Sequence, residues 1–412
     1  MNSTIATETG NDTMHYVFLY PSPGIWGGIE TQIVRMSHWL VSQGHKVTVI
    51  TFSDRNWGEL LPPGVRCIAL GGEFWNLNYY FRARRIWRAL KVPRPDVVKS
   101  FSWELKTAWI GYQLAVITGA KAVAGFYAPR QMLQAVDSDF YLRSFLRNIP
   151  DRARIFISPE QIEGLQEKHG QGGELWPLPV DTSQFLPAAR QPVWGRIVSI
   201  GRLSEMKEYN LYMIEVVDEL IRRGHDVTWT VHGTGEFEEE MREMIRARNL
   251  ESAITLAGPM PYERCRQVLA EAYVFVGMGT TILEASMLGV PNVLALAFDR
   301  KGLTYGPIYR VPLGSVGDTR EPPPTLKVAD EIERILKLTP AEYEAESEQV
   351  RQYAQPYGSD VSMRRFVEII EAAPPLRGQY WPCFEYYLYG VRRRLIRLWG
   401  KWVAQQEKLA AG

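Results

Sequence analysis

Ser199-Ile-Gly-Arg-Leu-Ser-Glu-Met-Lys207, Val231-His-Gly-Thr-Gly235 and Gly277-Met-Gly-Thr-Thr-Ile-Leu-Glu284-Ala-Ser-Met-Leu-Gly-Val-Pro291 decide how this chain is read. Each follows or ends a short apolar run that reads as a buried strand. In the first, two cations, Arg202 and Lys207, come just past the strand, where open α/β sheets bind ligands. In the third, a glycine turn opens a helix that carries Glu284 about one turn in. A guanidinium fork and an ammonium can hold a diphosphate between them. Free amides at a helix start bind phosphate, with Thr280 and Thr281 as added donors. A carboxylate three or four residues further on can reach ribose hydroxyls. Plainer accounts exist for each piece alone. Arg202 and Lys207 could be surface cations. Thr280 could be a cap and Glu284 a first-turn acid that suits the helix dipole. The glycines of His232-Gly-Thr-Gly235 could serve a tight turn as well as a ligand. It is the combination that suits a diphosphate with a ribose attached.

Outward from these motifs the second half alternates. Strands are expected at Gly195–Ile200, Val227–Val231, Ala253–Leu256, Val274–Val276 and Asn292–Ala295. Helices are expected at Tyr209–Arg223, Phe237–Arg248, Thr281–Leu288, Val328–Leu336 and Pro340–Tyr353. The first half alternates in the same way. His15–Tyr20, Lys46–Phe52, Val65–Leu70, Asp96–Phe101, Ala122–Phe126 and Ile155–Ser158 read as strands. Gly28–Gly44 reads as a helix with Ile29, Ile33, Met36, Leu40 and Val41 on one face. Alternation of this kind predicts parallel sheets with helices on both faces, here as two consecutive doubly wound domains. Prolines between Trp176 and Pro192 suggest the linker. The expected division is therefore an extension over 1–13, a first domain over 14–190, a second over 191–371 and a helical segment over 372–412.

Composition narrows the field. A length of 412 residues suits two domains, and 46% apolar with 12% aromatic content argues for packed cores. A net charge of +1 gives no case for nucleic-acid binding. Cys67, Cys265 and Cys383 are odd in number and far apart, which fits a reducing, cytoplasmic setting without a disulfide framework. Residues 1–14 lack the apolar stretch of a signal peptide, and no apolar run reaches the ~18 residues a bilayer span needs. Asp137-Ser-Asp139 spells an Asp-x-Asp, but it sits in a polar patch, and the six histidines show no zinc spacing; no metal is expected. From about Phe384 to Lys408, Leu388, Val391, Leu395, Leu398 and Trp402 recur at helical spacing. Arg392, Arg393, Arg394, Arg397 and Lys401 crowd the other side. An amphipathic basic and aromatic helix favours an anionic membrane surface; packing back onto the first domain is the plainer alternative.

Taken together, these residues resemble the retaining glycosyltransferases of the GT-B fold, family 4 (glycosyl transferases group 1). The resemblance runs from about His15 to Ile370. It rests most on Gly201-Arg202 with Lys207 and on Leu283-Glu284-Ala285 followed by Gly289-Val-Pro291. Gly27-Gly28-Ile29-Glu30 and Pro179-Val-Asp181 with Phe185 fit as well. It implies two Rossmann-like domains facing a cleft, with the acceptor on the first and the nucleotide-sugar donor on the second. Arg202 and Lys207 would bind the diphosphate and stabilise it as it leaves. Gly279, Thr280 and Thr281 would lie beside the distal phosphate and Glu284 on the ribose. Gly258 and Met260 would flank the base, with Gly27, Gly28, Gly201 and Gly235 lining the donor. Glu30, Tyr127, Ala128 and Arg130 are expected at the sugar and acceptor pocket.

Two positions depart from the pattern. The family pairs the glutamate matching Glu284 with an earlier one, seven residues lying between; here that place is Val276. In Gly125-Phe-Tyr-Ala-Pro-Arg130, Ala128 stands where related enzymes carry a histidine. Tyr127 or Arg130 would then fill its role. The resemblance implies transfer of a hexose from a nucleotide sugar to a glycan or lipid-linked glycan, with retention and with no cofactor. The alternative is a glycosyltransferase-like binding protein that has lost catalysis.

Overall fold

The computed structural model describes residues 13–21, 28–52, 61–70, 79–90, 94–101, 105–127, 140–181 and 190–376. It also describes residues 384, 388, 391–392, 394–396, 398–400 and 402–403. The chain forms two compact units. One comprises Met1–Phe156, Leu165–Glu174 and Val367–Gly412, the other Ile157–Gly164 and Leu175–Phe366.

The described residues of the first unit build a sheet from β1 (His15–Tyr20), β2 (Lys46–Thr51), β3 (Arg66–Ala69), β4 (Val97–Phe101), β5 (Lys121–Phe126), β6 (Arg154–Phe156) and β7 (Glu174–Leu175). The order is β3-β2-β1-β4-β5-β6-β7, with β1 parallel to both β2 and β4. Every residue of β1 and β4 is buried, as expected of parallel strands covered on both faces. Helices α1 (Gly28–Ser42), α2 (Tyr79–Leu90), α3 (Leu105–Thr118) and α4 (Phe140–Asn148) supply the cover, and α5 (Pro159–His169) starts in the other unit. On α1 the predicted face holds, with Ile33, Met36 and Leu40 fully buried.

The second unit is built on β8 (Arg196–Ile200), β9 (Thr228–His232), β10 (Ile254–Gly258), β11 (Val274–Gly277) and β12 (Asn292–Leu294), in the order β10-β9-β8-β11-β12 and all parallel. Between them run α6 (Tyr209–Arg222), α7 (Glu238–Ala247), α8 (Cys265–Ala270) and α9 (Thr280–Met287). After them come α10 (Val328–Leu336), α11 (Pro340–Ala354) and α12 (Ser359–Ala372). The period of two sends Ile197, Val276 and Val293 to a core shared with Val217 and Ile332. Val198, Phe275 and Leu294 go to another, shared with Leu269, Leu283 and Val350. Two cores on one sheet are what a doubly wound domain requires. A hairpin of β13 (Leu303–Thr304) and β14 (Leu326–Lys327) adds a feature too short to show in the sequence pattern.

The dividing line falls earlier than the expected 190/191. The proline-rich stretch read as linker is bonded into the second unit. The Trp176 indole donates to the Ser362 carbonyl at 3.0 Å, and the Val180 amide donates to the Tyr357 carbonyl at 2.7 Å. Arg190 donates to the Ala272 carbonyl and the Tyr343 hydroxyl. Residues 367–376 belong to the first unit, where Lys121 Nζ donates to the Ile370 and Glu371 carbonyls at 2.9 and 2.8 Å.

The described residues between 384 and 403 are helical, and nearly all are exposed. Leu395 is 61% exposed, Trp399 68% and Trp402 57%. The apolar face is thus open among these residues, not packed.

Candidate functional site

In the second unit the strand order reverses between β8 and β11. At the carboxyl ends of the strands such a reversal is the usual ligand position in open sheets. The first two motifs and α9 all converge on this edge. Gly201 follows β8, and its amide donates to the His232 carbonyl at 2.9 Å; the Leu203 amide donates to Thr234 at 3.0 Å and the Gly233 amide to Gly258 at 2.8 Å. The loops after β8, β9 and β10 are therefore bonded to one another. Their glycines permit it. A Cβ on Gly233 would stand 1.8 Å from the Gly201 carbonyl oxygen, and one on Gly235 2.1 Å from that of Leu203. Gly235, expected to line the donor, thus has a packing reason for being glycine.

Lys207 folds back across this turn. Its ammonium would lie 2.1 Å from a Cβ on Gly201, whose φ of +155° also favours glycine. Burial and the neighbouring Arg202 guanidinium push the Lys207 pKa down to about 8, and the Glu284 carboxylate partly opposes them. Arg202 and Lys207, from the segment after β8, and Glu284, from a helix some eighty residues further on, thus act on one another through their charges. Arg202 itself is exposed.

Helix α9 begins directly after Gly279, which has φ +73° and ψ −146°, a conformation that essentially only glycine adopts. The Gly279 amide donates to Val316 at 2.6 Å. Thr280 is half-buried at the helix start. The Thr281 hydroxyl lies 3.1 Å from both the Ile200 and the Met278 carbonyls. Its proton is committed to the backbone, so the expected donation to a phosphate falls to the helix-start amides. The same bond ties α9 to the end of β8. Glu284 is buried, accepting from the Tyr262 hydroxyl at 2.9 Å and from the Cys265 thiol at 3.8 Å. Sequence reasoning missed both partners, since nothing local links residues 262 and 265 to 284. Met260 is half-buried beside them and Gly258 has φ +73° in open space.

The departure at Val276 has a structural cause. β11 runs to Gly277 and α9 starts at Thr280, so only Met278 and Gly279 join them. Counting back from Glu284 lands inside the strand, and Val276 is fully buried in apolar core.

In the first unit the sheet reverses between β1 and β4. Glu30, in the first turn of α1, is buried and accepts from the Tyr20 hydroxyl at 2.8 Å at the end of β1. Gly28 opens α1 in open space. Tyr127 turns inward: it stacks on Phe101 at 6.0 Å and lies over Gly125, where a Cβ would come 2.7 Å from its hydroxyl. That hydroxyl is buried without a hydrogen-bond partner among the described residues, and burial raises its pKa. It does not stand free to replace a histidine at position 128. The fully buried Lys99 ammonium lies 4.7 Å from the Phe101 ring and 5.7 Å from that of Tyr127, and burial pushes its pKa down to about 7. Gly27, Ala128, Arg130 and the Asp137-Ser-Asp139 patch lie outside the described residues. Among the described residues no group of three His, Cys, Asp or Glu side chains could hold a metal ion. A cleft of about 540 Å³ lined by Tyr305, Tyr309, Arg310 and Arg320 shares no residue with either edge.

Two family models match: Glycosyltransferase Family 4 over residues 26–184 and Glycosyl transferases group 1 over residues 195–299. The chain belongs to glycosyltransferase family 4. The second match contains Arg202, Lys207 and Glu284, the residues that the fold gathers at one edge. Over 302 residues the chain is 27% identical to a phosphatidylinositol N-acetylglucosaminyltransferase component of Arabidopsis thaliana. That match covers 67% of this chain and 65% of the relative, so the chain spans less than two thirds of that relative's length. A glycosyltransferase from Rickettsia africae superimposes with a TM-score of 0.66 at 15% identity, covering 87% of this chain and 98% of the other. The Anabaena protein HepE, in complex with UDP and glucose, does so at 0.61 and 14%, covering 87% and 100%. These likenesses establish the GT-B fold of this family 4 chain, two Rossmann-like domains of which the second carries the edge described above.

Proposed function

We propose that this glycosyltransferase moves a hexose from a nucleoside-diphosphate sugar to a hydroxyl of a glycan or lipid-linked glycan, with retention at the anomeric carbon and without a metal. The observation that carries the reading is the gathering of Arg202, Lys207 and Glu284 beside the start of α9, at the switch point of the second sheet. The bond from the anomeric carbon to the distal phosphate oxygen breaks, and its electrons go to that oxygen. Arg202, Lys207 and the α9 amides would stabilise the charge that develops there. The acceptor hydroxyl attacks on the same face and passes its proton to the leaving phosphate, so no side-chain base is required. Glu284, held by Tyr262 and Cys265, would take the ribose hydroxyls, and Gly258 and Met260 would flank the base. The acceptor would be met at the inner face of a membrane, during assembly of a surface polysaccharide or glycoconjugate.

The UDP held by the Anabaena protein and the lipid in the name of the Arabidopsis relative direct the first screen: uridine sugars with lipid-linked acceptors. Arg202→Ala should weaken nucleoside diphosphate binding by more than ~1.5 kcal/mol, the lower end for charged hydrogen bonds, and leave nucleoside binding nearly unchanged. Intact diphosphate binding in both Arg202→Ala and Lys207→Ala would place the site elsewhere. Proton NMR of the first-formed product reads the anomeric configuration.

One observation favours a second reading, a nucleotide-sugar binding protein without turnover: Val276 puts core, not carboxylate, where the family carries its earlier glutamate. Donor binding with no diphosphate released in the presence of acceptor would select it. Gain of turnover in Ala128→His would show a weakened enzyme instead.

A further inference from the structure

We infer that the helical segment between residues 384 and 403 is an interfacial anchor that lays the chain onto an anionic lipid bilayer, which names the surface by which the membrane location proposed above is reached. Read from the sequence at ~100° per residue, Leu388, Val391, Leu395, Leu398, Trp399 and Trp402 fall on an arc of about 100°, with Arg392 at its edge; Arg394, together with Arg393, Arg397 and Lys401, which lie outside the described residues, falls on a separate arc of similar width. The structure shows that the apolar arc is not spent on packing: Leu388 is 48% exposed, Leu395 61%, Leu398 55%, Trp399 68% and Trp402 57%. Arg392 and Arg394 are exposed as well. Such a helix in water lacks cover for one face. No helix among the described residues is long and apolar enough to cross a membrane, so lying in the interface is the arrangement left to it in lipid.

Charge selects the occupant. Between residues 384 and 403 there are five cations and one acid, Glu385, at the start of the segment. A second copy of the helix would bring cations against cations, with too few acidic residues to pair across the seam as packed helices use. An anionic bilayer meets both arcs at once, taking the apolar residues into the acyl boundary and the cations at the headgroups. The chain as a whole carries only +1, so the remainder of the chain is net negative and the segment concentrates more positive charge than the whole chain carries. Two tryptophans on the apolar arc suit the headgroup level.

The test is co-sedimentation of the full chain with vesicles of phosphatidylcholine alone or mixed with phosphatidylglycerol, at low and high salt. Binding to the mixed vesicles should exceed that to phosphatidylcholine at least tenfold at low salt and fall steeply as salt rises. Each cation near the surface contributes on the order of fivefold, from about 1 kcal/mol apiece. The double variant Trp399→Ala/Trp402→Ala should lose binding to both vesicles. Arg392→Gln/Arg393→Gln/Arg394→Gln should lose the preference between them. Melting temperature and the thermal shift with UDP should be unchanged in all three proteins. Full-length protein left in the supernatant with both vesicles, or bound equally to both, overturns the inference. So does a concentration-dependent dimer that the tryptophan variant dissolves, which would give the face to a second copy. A missing UDP shift beside intact vesicle binding would count against the donor reading alone.

Discussion

Lys207 lies against Gly201 and close to the Arg202 guanidinium, and its proton affinity suffers for it. With a pKa near 8 in the free protein, it is charged below that pH and increasingly neutral above it. A bound diphosphate favours the charged form, so the pKa in the complex rises. Binding must then take up a proton in the window above about pH 8. We predict an affinity that is flat below pH 7 and falls by up to tenfold per unit above pH 8. Calorimetry in buffers of different ionisation enthalpy would count the proton directly. The Lys207→Arg variant should show neither effect, because arginine stays charged throughout. For folding the sign is opposite. The unfolded lysine holds its proton to higher pH, so the cost of burying the charge is present below about pH 8 and is relieved as pH rises toward the ordinary lysine value. Tyr127 offers a second test at this scale. Among the described residues its buried hydroxyl makes no hydrogen bond, and a buried hydroxyl without one costs ~1–3 kcal/mol. Tyr127→Phe should leave the melting temperature unchanged or raised. A drop in stability would mean that the hydroxyl is bonded in solution. Glu284→Gln should weaken nucleotide binding with little change in melting temperature, since the amide retains the shape and can still accept from Tyr262.

Among the elements, α9 combines fold and chemistry most closely. It starts where Gly279 adopts a backbone that costs other residues ~1–3 kcal/mol, and it presents its first amides at the switch point. Gly279→Ala should therefore lower melting temperature and diphosphate affinity together, whereas Glu284→Gln moves affinity alone. A variant with full affinity and reduced stability would separate α9 from the phosphate. The regular elements were legible because apolar runs and helical spacing are local signals: β1 matches its expected bounds, and most other strands and helices shift by only a residue or two at their ends. What escaped was non-local. The two-residue strands β13 and β14 pair across a long loop, Tyr262 and Cys265 reach Glu284 from the turn before α8 and from its first residue, and the prolines around Trp176 read as a linker although the backbone there is bonded to α12 and the turn before it. The diphosphate motif was readable for the opposite reason. Its glycines and cations are required at fixed places on one edge, so the pattern survives in one dimension. Tyr127 shows the limit. Its place in the sequence suggested the pocket, and only Gly125 beneath it reveals the inward turn.

For the molecule, the charge balance and the division of the chain matter most. With a net charge of +1, nonspecific attraction to polyanions is weak, and recognition has to be local. The division is discontinuous. Residues 367–376 return to the first unit, where the Leu376 amide bonds to the Ala120 carbonyl at 3.2 Å and Pro375 bridges to Lys121 beside the two Lys121 ammonium bonds. A chain ending at Ala373, just past α12, should lose the Leu376 and Pro375 contacts, so the first unit should melt earlier while the second keeps its nucleoside diphosphate binding. Two calorimetric transitions, only the first of them moved, would show it; a matched fall in both would mean that the units do not melt independently.

That returning segment also sets an order of events during synthesis. The unit whose strands leave the ribosome first is completed last, because its closing residues are made only after the whole of the other has emerged. Until then the start of β5 lacks its closing bonds, and for that interval the nascent unit is a natural client for chaperones. The later-made unit has all its residues in hand sooner, and would be the first to acquire a ligand.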